Sequence, residues 1–256
     1  MNRASGETVR LVCGGVSHVG RRREANEDCL LVAPEIGLLA VADGMGGHAA
    51  GEVASRIVID TLQESVRETG MDTRESPSGT ASPDRLREAI RLANDRIFQS
   101  IEGREELRGM GTTVVAALVR DDRLAVGYVG DSRAYLLRDG ALTQLTADHS
   151  WVQEQVELGL LSPSEAHRHP FRNIVTRALG SRDVIADIRE ERLRLDDVLL
   201  LCSDGLNSMV EDDAIRSILA RPTAVRQTAE ALVEAANEAG GEDNITVIVA
   251  RAERAT

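Results

Sequence analysis

The stretch VADGMGGHAAGE, Val41 to Glu52, runs an apolar segment abruptly into an acid, Asp43. Gly44, Gly46 and Gly47 follow, and at His48 an amphipathic helical pattern begins. An acid at a strand end is held by the sheet yet faces a turn that water, metal or substrate can reach. The glycines let the backbone bend with positive φ and let a ligand approach closely. The arrangement recurs: LLLCSDGL carries Asp204 and Gly205 behind an apolar strand, and GGEDNITVIVA sets Asp243 at the mouth of another. With Asp131 in VGDSRAYLL these acids form an oxygen donor set, and no His or Cys accompanies them at ligand spacing. Any one of them alone is as well read as a helix cap or a turn residue. As a set they select Mg²⁺ or Mn²⁺ over zinc. Carboxylates brought within ~3–4 Å of one another repel unless cations sit between them. Two such ions bridged by carboxylate and water acidify that water and neutralise phosphate oxygens.

A phosphate also needs a fixed cation, and Arg23 in REANED offers one. A guanidinium fork matches two phosphate oxygens at once. Arg21 and Arg22 complete a run of three and read as solvated charge.

Composition removes other chemistries. All 30 basic residues are arginine, so a P-loop lysine, a kinase strand lysine and a Schiff base are excluded. The net charge of −12 argues against a nucleic-acid surface. Cys13, Cys29 and Cys202 are scattered and lack CxxC spacing, which fits free thiols in a reducing compartment. None has an arginine six residues on, which removes the cysteine-nucleophile phosphatases, and no Asp-x-Asp pair offers a phosphoaspartate. No apolar run reaches the ~18 residues a membrane span needs, and no leader pattern is present. The expectation is a soluble, cytoplasmic monomer that binds neither membrane nor nucleic acid.

The elements that must position these residues are mixed. Strands are predicted over Arg10 to Val16, Cys29 to Val32 and Ile36 to Ala42, then a helix with Val53, Ile57, Leu62 and Val66 on its buried face. The polar, aperiodic segment 69–82 reads as a surface loop. A second helix opens at Ser82 with Pro83 in its first turn and buries Leu86, Ile90, Ala93, Ile97 and Ile101. Strands are predicted over Thr112 to Val119, Leu124 to Val129 and Ala134 to Leu137, and the tight-turn dipeptides Asp121-Asp122, between the first two, and Asp139-Gly140, after the third, mean antiparallel sheet. A short helix near Trp151 to Leu158 and strands Ile185 to Leu193 and Val198 to Cys202 come next. Helices Asp212 to Leu219 and Thr223 to Ala239 precede a last strand, Ile245 to Ala250.

The ordered set REANED (23–28), DGMGGHAAGE (43–52), GMGTT (109–113), GDSR (130–133), LTADHS (145–150), VTRALG (175–180), CSDGL (202–206) and GEDNIT (241–246) resembles the metal-dependent serine/threonine protein phosphatases of the PPM, or protein phosphatase 2C-like, family, its compact bacterial members above all. The resemblance covers nearly the whole chain, so it implies one domain over 1–256. The implied fold is α+β, a four-layer αββα sandwich of two antiparallel sheets flanked by pairs of helices. The implied activity is hydrolysis of phosphoserine and phosphothreonine by a metal-activated water, without a covalent intermediate, on proteins phosphorylated by a bacterial serine/threonine kinase. By the same resemblance Asp43 bridges two Mn²⁺ or Mg²⁺ ions and the Gly44 carbonyl binds the second. Asp204 and Asp243 complete the first ion's shell, and Asp131 with Asp204 holds a weaker third. Glu27 and Asp28 sit near the ions through water, Arg23 holds the substrate phosphate, and about 146–174 forms a mobile flap.

Three departures stand out. His18 replaces the acid usual after the first-strand serine, and at most it lies behind the ligands. Gly205 to Met209 reads GLNSM, a turn whose role the sequence leaves open. Met45 stands where eukaryotic relatives carry a histidine proposed as general acid. The nearest imidazole, His48, reads better as packing at a helix start, and a water at the metal centre is the expected proton donor. Two alternatives to this function are a catalytically silent relative that binds or senses, and a phosphatase dedicated to an anti-sigma-factor antagonist.

Overall fold

The computed structural model describes residues 9–46, 49–71, 82–102, 104, 107, 109–182 and 184–255. Strands β1 (Val9–His18), β2 (Cys29–Ala33) and β3 (Leu38–Ala42) lead into a two-residue strand β4 (Gly44–Met45) and helices α1 (Ala49–Met71) and α2 (Ser82–Ile101). Strands β5 (Gly111–Thr112), β6 (Val114–Arg120), β7 (Arg123–Val129), β8 (Arg133–Arg138) and β9 (Ala141–Gln144) follow. After helices α3 (Trp151–Glu157) and α4 (Pro163–His167) come β10 (Asp187–Arg192) and β11 (Val198–Cys202). Helices α5 (Asp204–Asn207), α6 (Asp212–Leu219) and α7 (Val225–Glu238) precede β12 (Ile245–Arg254).

Two five-stranded antiparallel sheets result, ordered β1-β12-β11-β8-β9 and β10-β7-β6-β3-β2. Strand alternation builds three apolar layers from them. In β6, Val114, Ala116 and Leu118 face α1 and α2, while Val115, Ala117 and Val119 face the other sheet. In β11, Leu199 and Leu201 turn inward between the sheets, while Val198, Leu200 and Cys202 turn out to α6 and α7. The order is therefore helices, sheet, sheet, helices, the αββα sandwich the sequence implied. The central strands are apolar on both faces because both are covered, and each fully buried Leu or Val contributes ~1.5–3 kcal/mol.

Both predicted turns form, the second of them leading into a strand, β9, that was not expected. Arg120 pairs with Arg123 around Asp121-Asp122, and Arg138 with Ala141 around Asp139-Gly140, with Asp121, Asp139 and Gly140 all at positive φ.

Four expectations shift. The strand predicted from Ile36 begins at Leu38, because Pro34 opens a 3₁₀ turn over Pro34–Ile36 that Gly37 ends in the left-handed region. The strand predicted from Ile185 begins at Asp187, and Ile185 is exposed. The strand predicted from Thr112 is split at Thr113, since Gly111 and Thr112 pair with Met45 and Gly44 in a ribbon of their own. On α1 Leu62 and Val66 are buried as expected, but Val53 is exposed and Ala50, Ala54 and Val58 are buried in the preceding turns. Alanines let the helix lie close to the sheet, a preference that residue size does not announce. Of the predicted loop 69–82, residues up to 71 and Ser82 are helical, and 72–81 lie outside the described residues.

Candidate active site

Sheet register gathers the aspartates. Cys29 pairs with Ala42, so one step beyond the pair Asp28 lies beside Asp43. Cys202 pairs with Arg133 and with Val247, so Asp204 leaves β11 beside Asp131 and the start of β12, where Asp243 sits. Five carboxyls from five chain segments thus share one end of the two sheets. Ser203 continues the ladder, its N–H donating to the Thr246 carbonyl at 3.0 Å.

The threonines of GMGTT hold Asp43 in place. The Thr113 N–H (2.9 Å) and the Thr112 hydroxyl (2.8 Å) both donate to the Asp43 carbonyl, and the Asp43 N–H donates to Thr113 Oγ1 at 3.2 Å. Thr113 Oγ1 in turn lies 2.7 Å from Ser132 Oγ, which links Asp43 to the loop of Asp131. Gly44 is fixed by pairing with Thr112. Asp28 is buried, and its Oδ2 accepts the Ser203 hydroxyl at 2.8 Å.

The electrostatics follow from burial and crowding. Burial pushes the Asp131 carboxyl up to about 8, with Asp204 and Asp148 adding to it. Burial brings Asp28 to about 7 against the lowering hydrogen bonds of Thr246 and Ser203. Asp204 rises to about 6 through burial and Asp243. Asp43 stands well above the ordinary carboxyl range, through burial first and then Asp28, Asp204, Asp131 and Asp243. One buried oxygen of Asp28 and one of Asp204, Oδ1 in each, has no hydrogen-bond partner among the described residues. Orphaned buried acceptors within a group of mutually repelling carboxyls fit hard divalent cations. Among the described residues no three side chains already form a ligand cage, so the fit rests on this donor chemistry.

The loop 19–27 stands beside these acids. Arg23 Nη2 donates to Asp243 Oδ2 at 2.7 Å, while Asp243 Oδ1 accepts the Asn244 N–H at 2.8 Å. Glu27 presents its N–H to Asn244 Oδ1 at 2.8 Å, and its carbonyl accepts the Ser55 hydroxyl at 2.6 Å. Arg21 is more than solvated charge: its N–H donates to the Gly241 carbonyl (2.7 Å) and its Nε to the Asn237 carbonyl (3.1 Å). His18 Nδ1 accepts the Gly20 N–H at 2.9 Å, which fixes the turn. His48 lies outside the described residues.

The turn GLNSM also finds its place. Gly205 sits so close to the Asn244 carbonyl that a Cβ there would overlap it, which lets the Asp204 turn lie directly on the Asp243 loop.

Segment 146–174 carries α3 and α4, with Ser150 and Ser162 as their N-caps. Its base is closed by a bridge between Ser150 and Val175, and the Trp151 N–H donates to the Ile174 carbonyl at 2.9 Å. Its far side touches the body through His167–Glu211 (3.2 Å) and Arg172–Glu242 (3.6 Å). A cavity of about 500 Å³ is lined by residues of this segment, Arg168 among them, together with Asp131, Asp204 and Glu211. Arg133, which also lines it, is held by three hydrogen bonds to Asp148 and one to the Tyr135 hydroxyl.

Sequence reasoning named each of these carboxyls but missed the side chains that hold them: Thr112, Thr113, Ser132, Ser203 and Asn244. All five lie inside the motifs GMGTT, GDSR, CSDGL and GEDNIT, so the signal was present and only the partners were hidden.

Comparison with known proteins bears on the whole arrangement. The sequence model of the family described as protein phosphatase 2C matches residues 15–239. The serine/threonine protein phosphatase PstP of Mycobacterium tuberculosis is 44% identical over 231 residues, 90% of this chain, and the chain spans 43% of that relative's length. The serine/threonine phosphatase of Listeria welshimeri is 40% identical, with 83% of each chain covered. Among solved structures, the M. tuberculosis PstP phosphatase superposes with a TM-score of 0.88 at 42% identity, covering 96% of this chain and 100% of the other. The PstP catalytic domain in complex with two manganese ions gives 0.85 at 41%, with the same coverage.

Proposed function

This chain belongs to the protein phosphatase 2C family, and on that premise we propose that it is a serine/threonine phosphoprotein phosphatase dependent on Mn²⁺ or Mg²⁺. The observation that carries the reading is the convergence of Asp28, Asp43, Asp131, Asp204 and Asp243 beside the Arg23 guanidinium, with buried carboxylate oxygens left unpartnered.

Asp43, Asp204, Asp243 and Asp131, with the Gly44 carbonyl, would hold two or three divalent ions, and Glu27 and Asp28 would reach them through water. When bound, the ions supply Lewis-acid chemistry that acidifies water and offsets the charge of the phosphate. The chain's own part is placement. Thr112 and Thr113 fix the Asp43 backbone, and the Ser203 hydroxyl fixes one oxygen of Asp28. Arg23 would meet two phosphate oxygens with its fork, orienting the ester for attack. The cavity lined by 146–174 gives the peptide on either side of the phosphoresidue a path out of the centre, with that segment serving as the flap of a single 1–256 domain.

The substrates would be proteins phosphorylated by a serine/threonine kinase. Support comes from the relatives, which are named serine/threonine phosphatases, and from the manganese carried by one of their structures. The deciding experiment is phosphate release from a phosphothreonine peptide with Mn²⁺, with and without EDTA. Manganese-dependent release is expected and should vanish on chelation. No release under saturating Mn²⁺ would mark a silent relative, and full turnover after exhaustive chelation would overturn the metal reading.

A further inference from the structure

The segment 19–27, which carries Arg23 at its middle, has neither helix nor strand along its length. An irregular loop cannot aim a guanidinium unless something outside it supplies rigidity. Arg21 is tied to the Gly241 and Asn237 carbonyls and the Glu27 carbonyl to Ser55, and one buried amide joins both ends of the loop. Asn244 Oδ1 accepts the Glu27 N–H at 2.8 Å, and Asn244 Nδ2 donates to the Val19 carbonyl (3.0 Å) and the Ala25 carbonyl (2.9 Å). Both ends of the loop are thus tied to one side chain, itself only 6% exposed. The orientation of the amide is fixed by its partners, since an N–H can meet only the oxygen and carbonyls only the nitrogen.

The same residue also sets the opposite side of the contact. Its main-chain N–H donates to Asp243 Oδ1 at 2.8 Å, leaving Oδ2 for Arg23 at 2.7 Å. Gly20 adds close fit, because a Cβ there would overlap the Asp243 carbonyl. The geometry points to Asn244 as a positioning residue that sets the Arg23 guanidinium in register with the carboxylate centre, so that phosphate is gripped where the reaction occurs. The inference rests on the reading of Arg23 as the phosphate anchor. The chemistry demands asparagine: aspartate lacks the two donors, glutamine is a carbon too long, and alanine leaves three backbone groups unpaired.

A residue that only held the fold together would lower stability without singling out phosphate. The test is a double-mutant cycle on the manganese-loaded full chain, with Asn244→Ala, Arg23→Ala and the pair together. The readouts are the affinity for inorganic phosphate by calorimetry, the affinity for Mn²⁺, and the melting temperature. Asn244→Ala should weaken phosphate on the order of tenfold, with KM raised more than kcat is lowered. In the Arg23→Ala background the same substitution should weaken phosphate less than about twofold, although the melting temperature falls equally in both. Asn244→Asp, which keeps shape and the acceptor for Glu27, should reproduce the phosphate defect if the alanine variant does not fold. Equal weakening in both backgrounds, or unchanged phosphate affinity in a destabilised Asn244 variant, overturns the proposal. If Arg23→Ala itself leaves phosphate affinity intact, the anchor reading falls and this one with it.

Discussion

The Arg23 guanidinium and the Asp243 carboxylate, 220 positions apart in sequence, meet at 2.7 Å at the edge of the acidic cluster. The pair is partly open to solvent, with side chains 56% and 34% exposed, so its own worth is of the order of 0–1 kcal/mol. A weak partner is easily exchanged for a better one, and a phosphate dianion is better. Arg23→Ala should therefore raise KM several-fold and lower kcat/KM with a smaller fall in kcat, while barely changing the melting temperature. Arg22→Ala removes the same charge one residue away and should do little. Steady-state kinetics on a phosphothreonine peptide decide it, and equal effects of the two would reduce Arg23 to diffuse charge.

Burial, and after it crowding by other carboxyls, pushes Asp43 and Asp204 above the usual range. Asp43→Asn and Asp204→Asn should cut kcat by at least ~10²–10³, the scale of losing one preorganised electrostatic element. Without divalent cations the same variants should melt higher than the parent as pH rises, because an amide cannot take on the charge that burial and the neighbouring carboxyls oppose. Full activity in a manganese-saturated assay would place the chemistry elsewhere.

The raised carboxyls also set a pH dependence. With Asp131 held at about 8 and Asp28 at about 7, the folded chain binds protons more tightly than the unfolded one. Stability from these groups is present at low pH and lost as pH rises through the folded values. In chelator, this part of the melting temperature should decline from pH ~5 to about 8. Saturating Mn²⁺ should remove the decline, and Asp131→Asn should flatten it. A chelated protein whose melting temperature climbs steadily over that range would contradict the assignment.

His149 works with the opposite sign. Its Nδ1 accepts the Gly130 N–H at 3.1 Å, and its Nε2 lies 2.9 Å from Asp187 Oδ2, so the ring is neutral with its proton on Nε2. Burial and the nearby Arg177 hold its pKa below the usual histidine value. The unfolded chain protonates first as pH falls, so this contribution is present above pH ~6.5 and lost through the lower folded value. Nitrogen-15 NMR of the imidazole should show the Nε2–H tautomer and a depressed midpoint. A ring already charged near neutrality would refute this arrangement.

How far the sequence could be read depended on whether a signal was local. An apolar strand bounded by an acid is visible in a dozen residues, which is why Asp43, Asp131, Asp204 and Asp243 and the two tight turns stand out in the sequence. The pairing of Asp28 with Asp43 depends on the β2–β3 register, and that of Asp131 with Asp204 on β8–β11, which no local pattern contains. Asn244 looked like part of a motif, but its partners lie more than 200 positions away. On α1 the expectation holds at Leu62 and Val66 but fails at Val53, for a different reason. Large residues dominate a periodicity count, whereas close approach to the sheet selected Ala50 and Ala54.

The bridge between Ser150 and Val175 has a consequence for how such a protein can diverge. It shuts segment 151–174 off at its root, while the five aspartates are placed by strands on the other side of that closure. The segment can therefore lengthen, shorten or change its surface without disturbing the register that assembles the centre. It behaves as an exchangeable cassette: grafting a relative's version between Ser150 and Val175 should alter which phosphoproteins are accepted while hydrolysis of p-nitrophenyl phosphate continues. A one-residue insertion within β11 offers no such freedom, because it would turn Leu199 and Leu201 out of the core and carry Asp204 away from Asp131.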